Sequence, residues 1–146
     1  MLSDSPPARS RPNLLVVVGA VIVADGRLLV VSKKAAPEVF YLPGGKPEPG
    51  ESLRQALIRE LGEELCVQPE SIEPLTTMDD MAALEGVPMR MTVYGVMLSQ
   101  QPRLAAELAA MGWTDGNDQY GPLLAPAIGG QLMRFLRSTG RLPRSG

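Results

Sequence analysis

The stretch from Gly44 to Val67, GGKPEPGESLRQALIRELGEELCV, constrains this chain more than any other. Its second half reads as an amphipathic helix. Ser52 is a good N-cap, and Gln55 three residues later completes the S-x-x-Q capping box. Pro47, Pro49 and Gly50 keep the preceding residues out of the helix. Leu53, Ala56, Leu57 and Leu61 have the spacing of a buried stripe. At about 100° per residue, Glu60, Glu63 and Glu64 fall within roughly 100° of one another, in line with Leu53 and Ala56. An apolar stripe therefore turns acidic at its C-terminal end.

That arrangement breaks two local rules. Like charges at i,i+3 and i,i+4 each cost a few tenths of a kcal/mol. Carboxylates also sit at the wrong end of the helix dipole. A hard divalent cation relieves both, because clustered carboxylate oxygens are its natural ligands. A solvated acidic face fits the charge pattern equally well. The loop before the helix adds weight to a site. Leu42-Pro43-Gly44-Gly45 follows a strand-like run, and paired glycines let backbone approach a ligand closely.

Together these residues match the Nudix box, G-x5-E-x7-R-E-U-x-E-E-x-G-U, where U is a bulky aliphatic. Gly45, Glu51, Arg59, Glu60, Leu61, Glu63, Glu64 and Val67 all fall in place, and the stretch resembles the Nudix hydrolase family. The box covers 23 of 146 residues, with weaker resemblance from about Leu14 to Leu142. One position departs from the pattern: Cys66 stands where the family has glycine. A left-handed conformation kept there would cost a non-glycine residue roughly 1–2 kcal/mol.

The resemblance implies an α/β fold, a Nudix-type α/β/α sandwich with a mixed β-sheet. It also implies a metal-dependent pyrophosphohydrolase that cleaves a nucleoside diphosphate linked to another group, with Mg²⁺ or Mn²⁺ as cofactor. By family analogy Glu60 and Glu64 are metal ligands, with Gly45 offering a carbonyl. Glu63 is a further ligand or the base, and Arg59 pairs with Glu51 to fix the loop against the helix. Glu107, a few residues before Trp113, is a further acidic candidate for the metal site. Gly44, Lys46, Tyr41 and Arg90 are candidate substrate contacts. Lys33 and Lys34, at a strand end, are candidates for phosphate.

Composition bounds the alternatives. A chain of 146 residues suits one domain with a sizeable core. A net charge of −2 offers no broad basic surface for nucleic acid. The absence of histidine excludes Ser-His or Cys-His nucleophilic catalysis and His-ligated zinc. The single cysteine makes no internal disulfide, so a cytoplasmic location is the expectation.

In chain order, residues 1–13 read as a disordered tail, 14–142 as one domain and 143–146 as a flexible end. Leu14–Ala24 is an apolar run too short to span a bilayer. Asp25-Gly26 then predicts a hairpin into a second run, Leu28–Ser32. Phe40 and Leu42 are expected to pack beneath the box, with Tyr41 exposed near the site. A strand is expected around Ile72–Met78, then a loop holding Asp79, Asp80 and Glu85. Val87–Leu98 alternates as a strand, with Met89, Met91 and Val93 on its core face. Local propensity favours a helix over Arg103–Met111, while the resemblance favours a loop and a strand. Leu123–Ser138 reads as a second helix, stopped by Gly140.

Nucleoside triphosphates or small nucleotide derivatives are the leading substrates. The alternatives are an ADP-ribose or nucleotide-sugar pyrophosphatase, or a non-catalytic nucleotide-binding module. Some subfamilies carry a diagnostic Pro or Tyr shortly after the box, and Met78–Gly86 contains neither. The expected partners are a nucleotide, with no nucleic acid and no membrane, and a homodimer is compatible with the sequence.

Overall fold

The computed structural model describes residues 14–82, 85–105 and 107–143. The tail expected over 1–13, and 144–146 of the expected flexible end, lie outside the described residues. Pro143 lies within them and sits beside Gly26 at a hairpin tip.

Eight strands form among the described residues: β1 Leu15–Val21, β2 Val23–Ala24, β3 Arg27–Lys33, β4 Ala36–Tyr41, β5 Gly44–Gly45, β6 Pro69–Met81, β7 Pro88–Leu98 and β8 Leu108–Thr114. One sheet has the order β5-β1-β7-β6, with β1 and β7 parallel and the outer strands antiparallel. The other is built on β3, which pairs with β2, β4 and β8. The box helix, α1, spans Leu53–Leu65, and α2 spans Met133–Ser138.

The apolar runs of β1 and β3 are explained by burial on both faces. Leu29 and Val31 join Val18 and Ala20 under Leu57, Leu61 and Leu65 of α1. Leu28 and Val30 face the other way, into a cluster with Leu132, Met133 and Leu136 around α2. Successive strand residues point to opposite faces, so each run supplies both clusters. The result is the layered helix–sheet–helix architecture expected from the sequence. Burying each of those α1 leucines stabilises the fold by about 2 kcal/mol.

Asp25 (φ 52°) and Gly26 (φ 74°) form the two-residue turn expected between β2 and β3. Residues 108–114 form a strand, as the resemblance had it and local propensity did not. The structure corrects four details. The run Leu14–Ala24 breaks at Ile22, where the chain passes from one sheet to the other. Asp79 and Asp80 belong to β6, which pairs with β7 through Met81 and sets Asp79 opposite Arg90. Phe40 and Leu42 pack in the α2 cluster, not beneath the box helix. The second helix is not continuous: residues 128–132 form a wide π-type turn before α2. Gly129 and Gly130 lie in that turn, and glycine pairs favour regular helix weakly.

The capping box forms as expected: Ser52 Oγ accepts from the Gln55 N–H at 3.1 Å, and Gln55 Oε1 accepts from the Ser52 N–H at 2.9 Å. Cys66 ends α1 in the left-handed conformation, at φ 59° and ψ 36°. Cys66→Gly is therefore expected to stabilise the protein by about 1 kcal/mol, because glycine adopts this conformation without strain. A thermal melt in reducing buffer checks this, with turnover unchanged. A lower melting temperature would mean that the thiol contributes packing that outweighs the strain.

Candidate functional site

A cavity of about 280 Å³ opens where the glycine turn crosses α1. The strand β5 consists of Gly44 and Gly45 alone, paired with Gly19 and Val18 of β1. Gly44 has φ 148°, a conformation that side chains disfavour, and a Cβ there would strike the carbonyl oxygen of Val18. A Cβ on Gly45 would strike the Glu60 carboxylate. The two glycines thus let the backbone lie directly over the acidic end of the helix.

Glu60 and Glu64, one turn apart on α1, both line the cavity, and so does Glu107 at the foot of β8. The Gly44 N–H donates to Glu64 Oε1 at 3.1 Å. Burial pushes the Glu64 carboxyl up to about 7, helped by Glu60 and Glu107 and opposed by the Gly44 N–H and Lys33. Burial also raises Glu60, against the pull of Arg59. These are acceptor-rich carboxylates held partly out of water, Glu60 paired with Arg59 and Glu64 with no ion pair of its own among the described residues.

Glu63 takes a different place. Relative to Glu60 at 0°, Arg59 lies at about −100°, Glu63 at about −60° and Glu64 at about +40° around the helix. Arg59 therefore reaches Glu63 and Glu60, at 3.2 Å each, while Glu64 turns towards the cavity. Among the described residues no three acidic side chains are grouped tightly enough to hold a metal ion by themselves. The three-carboxylate stripe expected from the sequence is thus a pair that lines the cavity, of which Glu60 also pairs with Arg59, and a third member outside it.

Arg59 is the hub of this frame. Its Nε and Nη2 donate to Glu51 at 2.8 and 2.9 Å, a bidentate pairing. Nη2 also donates to the Lys46 carbonyl at 3.1 Å. These contacts tie the loop to the helix. The guanidinium, followed by a backbone hydrogen bond, holds Glu51 down at about 2. Neither Arg59 nor Glu51 lines the cavity.

Of the candidate substrate contacts, Gly44, Lys46 and Tyr41 line the cavity and Arg90 does not. Arg90 is bound to Asp79 at 2.9 Å, a pairing that the sequence could not anticipate while Asp79 was read as a loop residue. Tyr41 is half-buried rather than exposed, and its hydroxyl is buried without a hydrogen-bond partner. Lys33 lines the cavity, with Nζ 6.0 Å from the centre of the Tyr41 ring. Glu85 and Met81 also line it and were not singled out as site residues. Their place depends on the pairing of β6 with β7, for which no short motif exists. Among the described residues no helix is long and apolar enough to cross a membrane.

The NUDIX domain family model matches residues 13–115. The CTP pyrophosphohydrolase of Escherichia coli (strain K12) is 43% identical over 59 residues, which span 38% of this chain and 44% of that protein. A proposed 8-oxo-dGTP diphosphatase 2 of Mycobacterium tuberculosis (strain CDC 1551 / Oshkosh) is 32% identical over 129 residues, 86% of this chain and 90% of that one. Among solved structures, the crystal structure of a MutT NUDIX hydrolase from Burkholderia pseudomallei superposes with a TM-score of 0.69 at 34% identity, covering 82% of this chain and 95% of that one.

Proposed function

This chain belongs to the NUDIX family, and from that premise we propose that it is a pyrophosphohydrolase, dependent on Mg²⁺ or Mn²⁺, that cleaves a phosphoanhydride bond of a nucleoside triphosphate or a similar small nucleotide. One observation carries the reading. Two half-buried carboxylates on one helix face, Glu60 and Glu64, share a cavity with a side-chain-free glycine turn.

The donor set fits a hard divalent cation. Mg²⁺ is commonly held by one or two carboxylates, with substrate phosphate oxygens and water completing its shell. Two facing carboxylates without a third are therefore a sufficient protein contribution. When bound, the ion offsets charge on the diphosphate and lowers the pKa of attacking water. Glu60 and Glu64 would hold it, with the Gly45 backbone beside Glu60 and Glu107 elsewhere in the same cavity wall. Gly44 and Gly45 let the backbone close onto Val18 and the Glu60 carboxylate at the cavity wall. Lys33 and Lys46 supply positive charge on the cavity wall. Arg59 and Glu51 keep the turn and helix in register, which matters because phosphoryl transfer depends mostly on positioning and charge stabilisation. Glu63, exposed and outside the cavity lining, is the carboxylate available as a further ligand or base once released from Arg59. The relatives named for CTP and 8-oxo-dGTP support nucleoside triphosphates as the first substrates to examine.

The test is a panel of nucleoside triphosphates, oxidised nucleotides, nucleotide sugars and ADP-ribose, assayed for phosphate or pyrophosphate release. Hydrolysis is expected with Mg²⁺ or Mn²⁺, to be lost in excess EDTA after dialysis, and to return when the ion is restored. Full turnover in EDTA would rule out the metal-dependent reading.

A further inference from the structure

Two groups in the cavity wall take no part in the chemistry above. One is Tyr41, whose buried hydroxyl lacks a hydrogen-bond partner. The other is Glu85, in the turn between β6 and β7. The length of the cavity can be read from β1, and Tyr41 stands beside Lys33 within it. Val18 and Gly19 pair with the glycine turn, whereas Leu15 pairs with Met89 near the start of β7. At about 3.3 Å per residue the two ends stand roughly 10 Å apart.

The far end is apolar, lined by Leu15, Met81, Met89 and Ile128. Methionine side chains are pliable and polarisable and pack well against flat rings. The other charged side chains in the wall are Lys33, Lys46, Glu60, Glu64 and Glu107, and they serve the diphosphate end. Tyr41 and Glu85 are then the remaining side chains of the wall that can form hydrogen bonds to a ring bound there. Burial and the nearby Glu85 carboxylate both push the Tyr41 phenol up, so it stays a neutral O–H.

We propose that Tyr41 and Glu85 read the nucleobase and select bases that carry an exocyclic amino group. This rests on the nucleotide reading of the cavity given above. The chemistry is that of a donor–acceptor pair. An ionised carboxylate only accepts, so Glu85 takes a hydrogen bond from the amino N–H. The Tyr41 hydroxyl donates to the ring nitrogen beside that amino group, which exists in cytosine, adenine and guanine alike. Uracil and thymine present a carbonyl at the corresponding position. That would set acceptor against acceptor at Glu85, and the ring nitrogen beside the carbonyl carries a hydrogen, so the Tyr41 hydroxyl would have to turn and accept. A site built to bind an N–H discriminates strongly against analogues that lack it.

Cytidine and uridine nucleotides differ only in this group and in the hydrogen on the ring nitrogen beside it, so they make the test. The α,β-methylene analogues of CTP and UTP are titrated by calorimetry in Mg²⁺, and kcat/KM is measured for CTP and UTP. The wild type is expected to prefer the cytidine nucleotide by at least tenfold in both. Glu85→Gln should bring the ratio near one, because a carboxamide can donate to the uracil carbonyl. Tyr41→Phe should weaken cytidine binding several-fold while leaving the melting temperature unchanged or higher, since it removes an unpaired buried hydroxyl. A wild-type ratio within twofold, a ratio that survives Glu85→Gln, or no binding of either analogue overturns the proposal. If calorimetry shows the preference but no nucleotide is hydrolysed, the base reading stands and the hydrolase reading falls. Hydrolysis of both nucleotides without preference does the reverse.

Discussion

Glu64→Gln is expected to lower turnover by about a thousandfold, ~4 kcal/mol in the barrier, while making the metal-free protein more stable. The substitution keeps the carbonyl oxygen that accepts from the Gly44 N–H, so the loop contact survives. What disappears is a charge held against burial and against Glu60. The pH dependence isolates this effect. In the folded protein the Glu64 carboxyl is pushed from 4.5 up to about 7. Between those values the folded state binds more protons than the unfolded chain, so its stability falls as pH rises through the window. The loss amounts to on the order of 2–3 kcal/mol once discounted for the solvent that still reaches the group. Glu51, held at about 2, acts in the opposite sense but only below its ordinary range. Melts in EDTA from pH 4.5 to 8 should therefore show a decline in the wild type that is smaller in Glu64→Gln. Turnover within threefold of wild type would remove Glu64 from the metal site and shift the ion to Glu60 and Glu107.

Gly44→Ala should be the most damaging small substitution in the loop. Glycine at φ 148° occupies a region that costs other residues about 1–3 kcal/mol. Here the added methyl would also meet the Val18 carbonyl oxygen, a backbone atom fixed by strand pairing. Overpacking of that kind adds a further ~1–3 kcal/mol. A combined loss of about 3 kcal/mol corresponds to a fall on the order of 10 °C in melting temperature for a domain of this size. Gly50→Ala is the matched control, because Gly50 has φ 80° and an added methyl there would have nothing within 4 Å. It should cost only the conformational part, about 1 kcal/mol. Equal losses in the two variants would mean that the turn relaxes freely away from β1. It would then not hold a fixed surface over Glu60.

The local features of this protein were legible in its residues because each rests on short-range physics. The capping box needs Ser52 and Gln55 three positions apart, and both hydrogen bonds form. The hairpin needs Asp25-Gly26, which take the positive φ angles of its turn. The family resemblance supplied the strand at Leu108–Thr114, where local propensity pointed to a helix and pairing with β3 prevailed. Other features depended on partners distant in sequence. Arg90 was a fair phosphate candidate until β6 extended through Met81 and brought Asp79 opposite it. Tyr41 was placed near the site, but only the folded packing buries its hydroxyl. The three carboxylates of α1 look equivalent in a helical projection. What separates them is the closure of the fold: Glu60 and Glu64 line the cavity and Glu63 does not, while Arg59, held by Glu51 across the loop, pairs with both Glu60 and Glu63. A helix sequence determines the angle at which a side chain leaves the axis. Which charges meet, and which stay unbalanced and available to a ligand, is decided when the glycine turn and the sheet close over that helix.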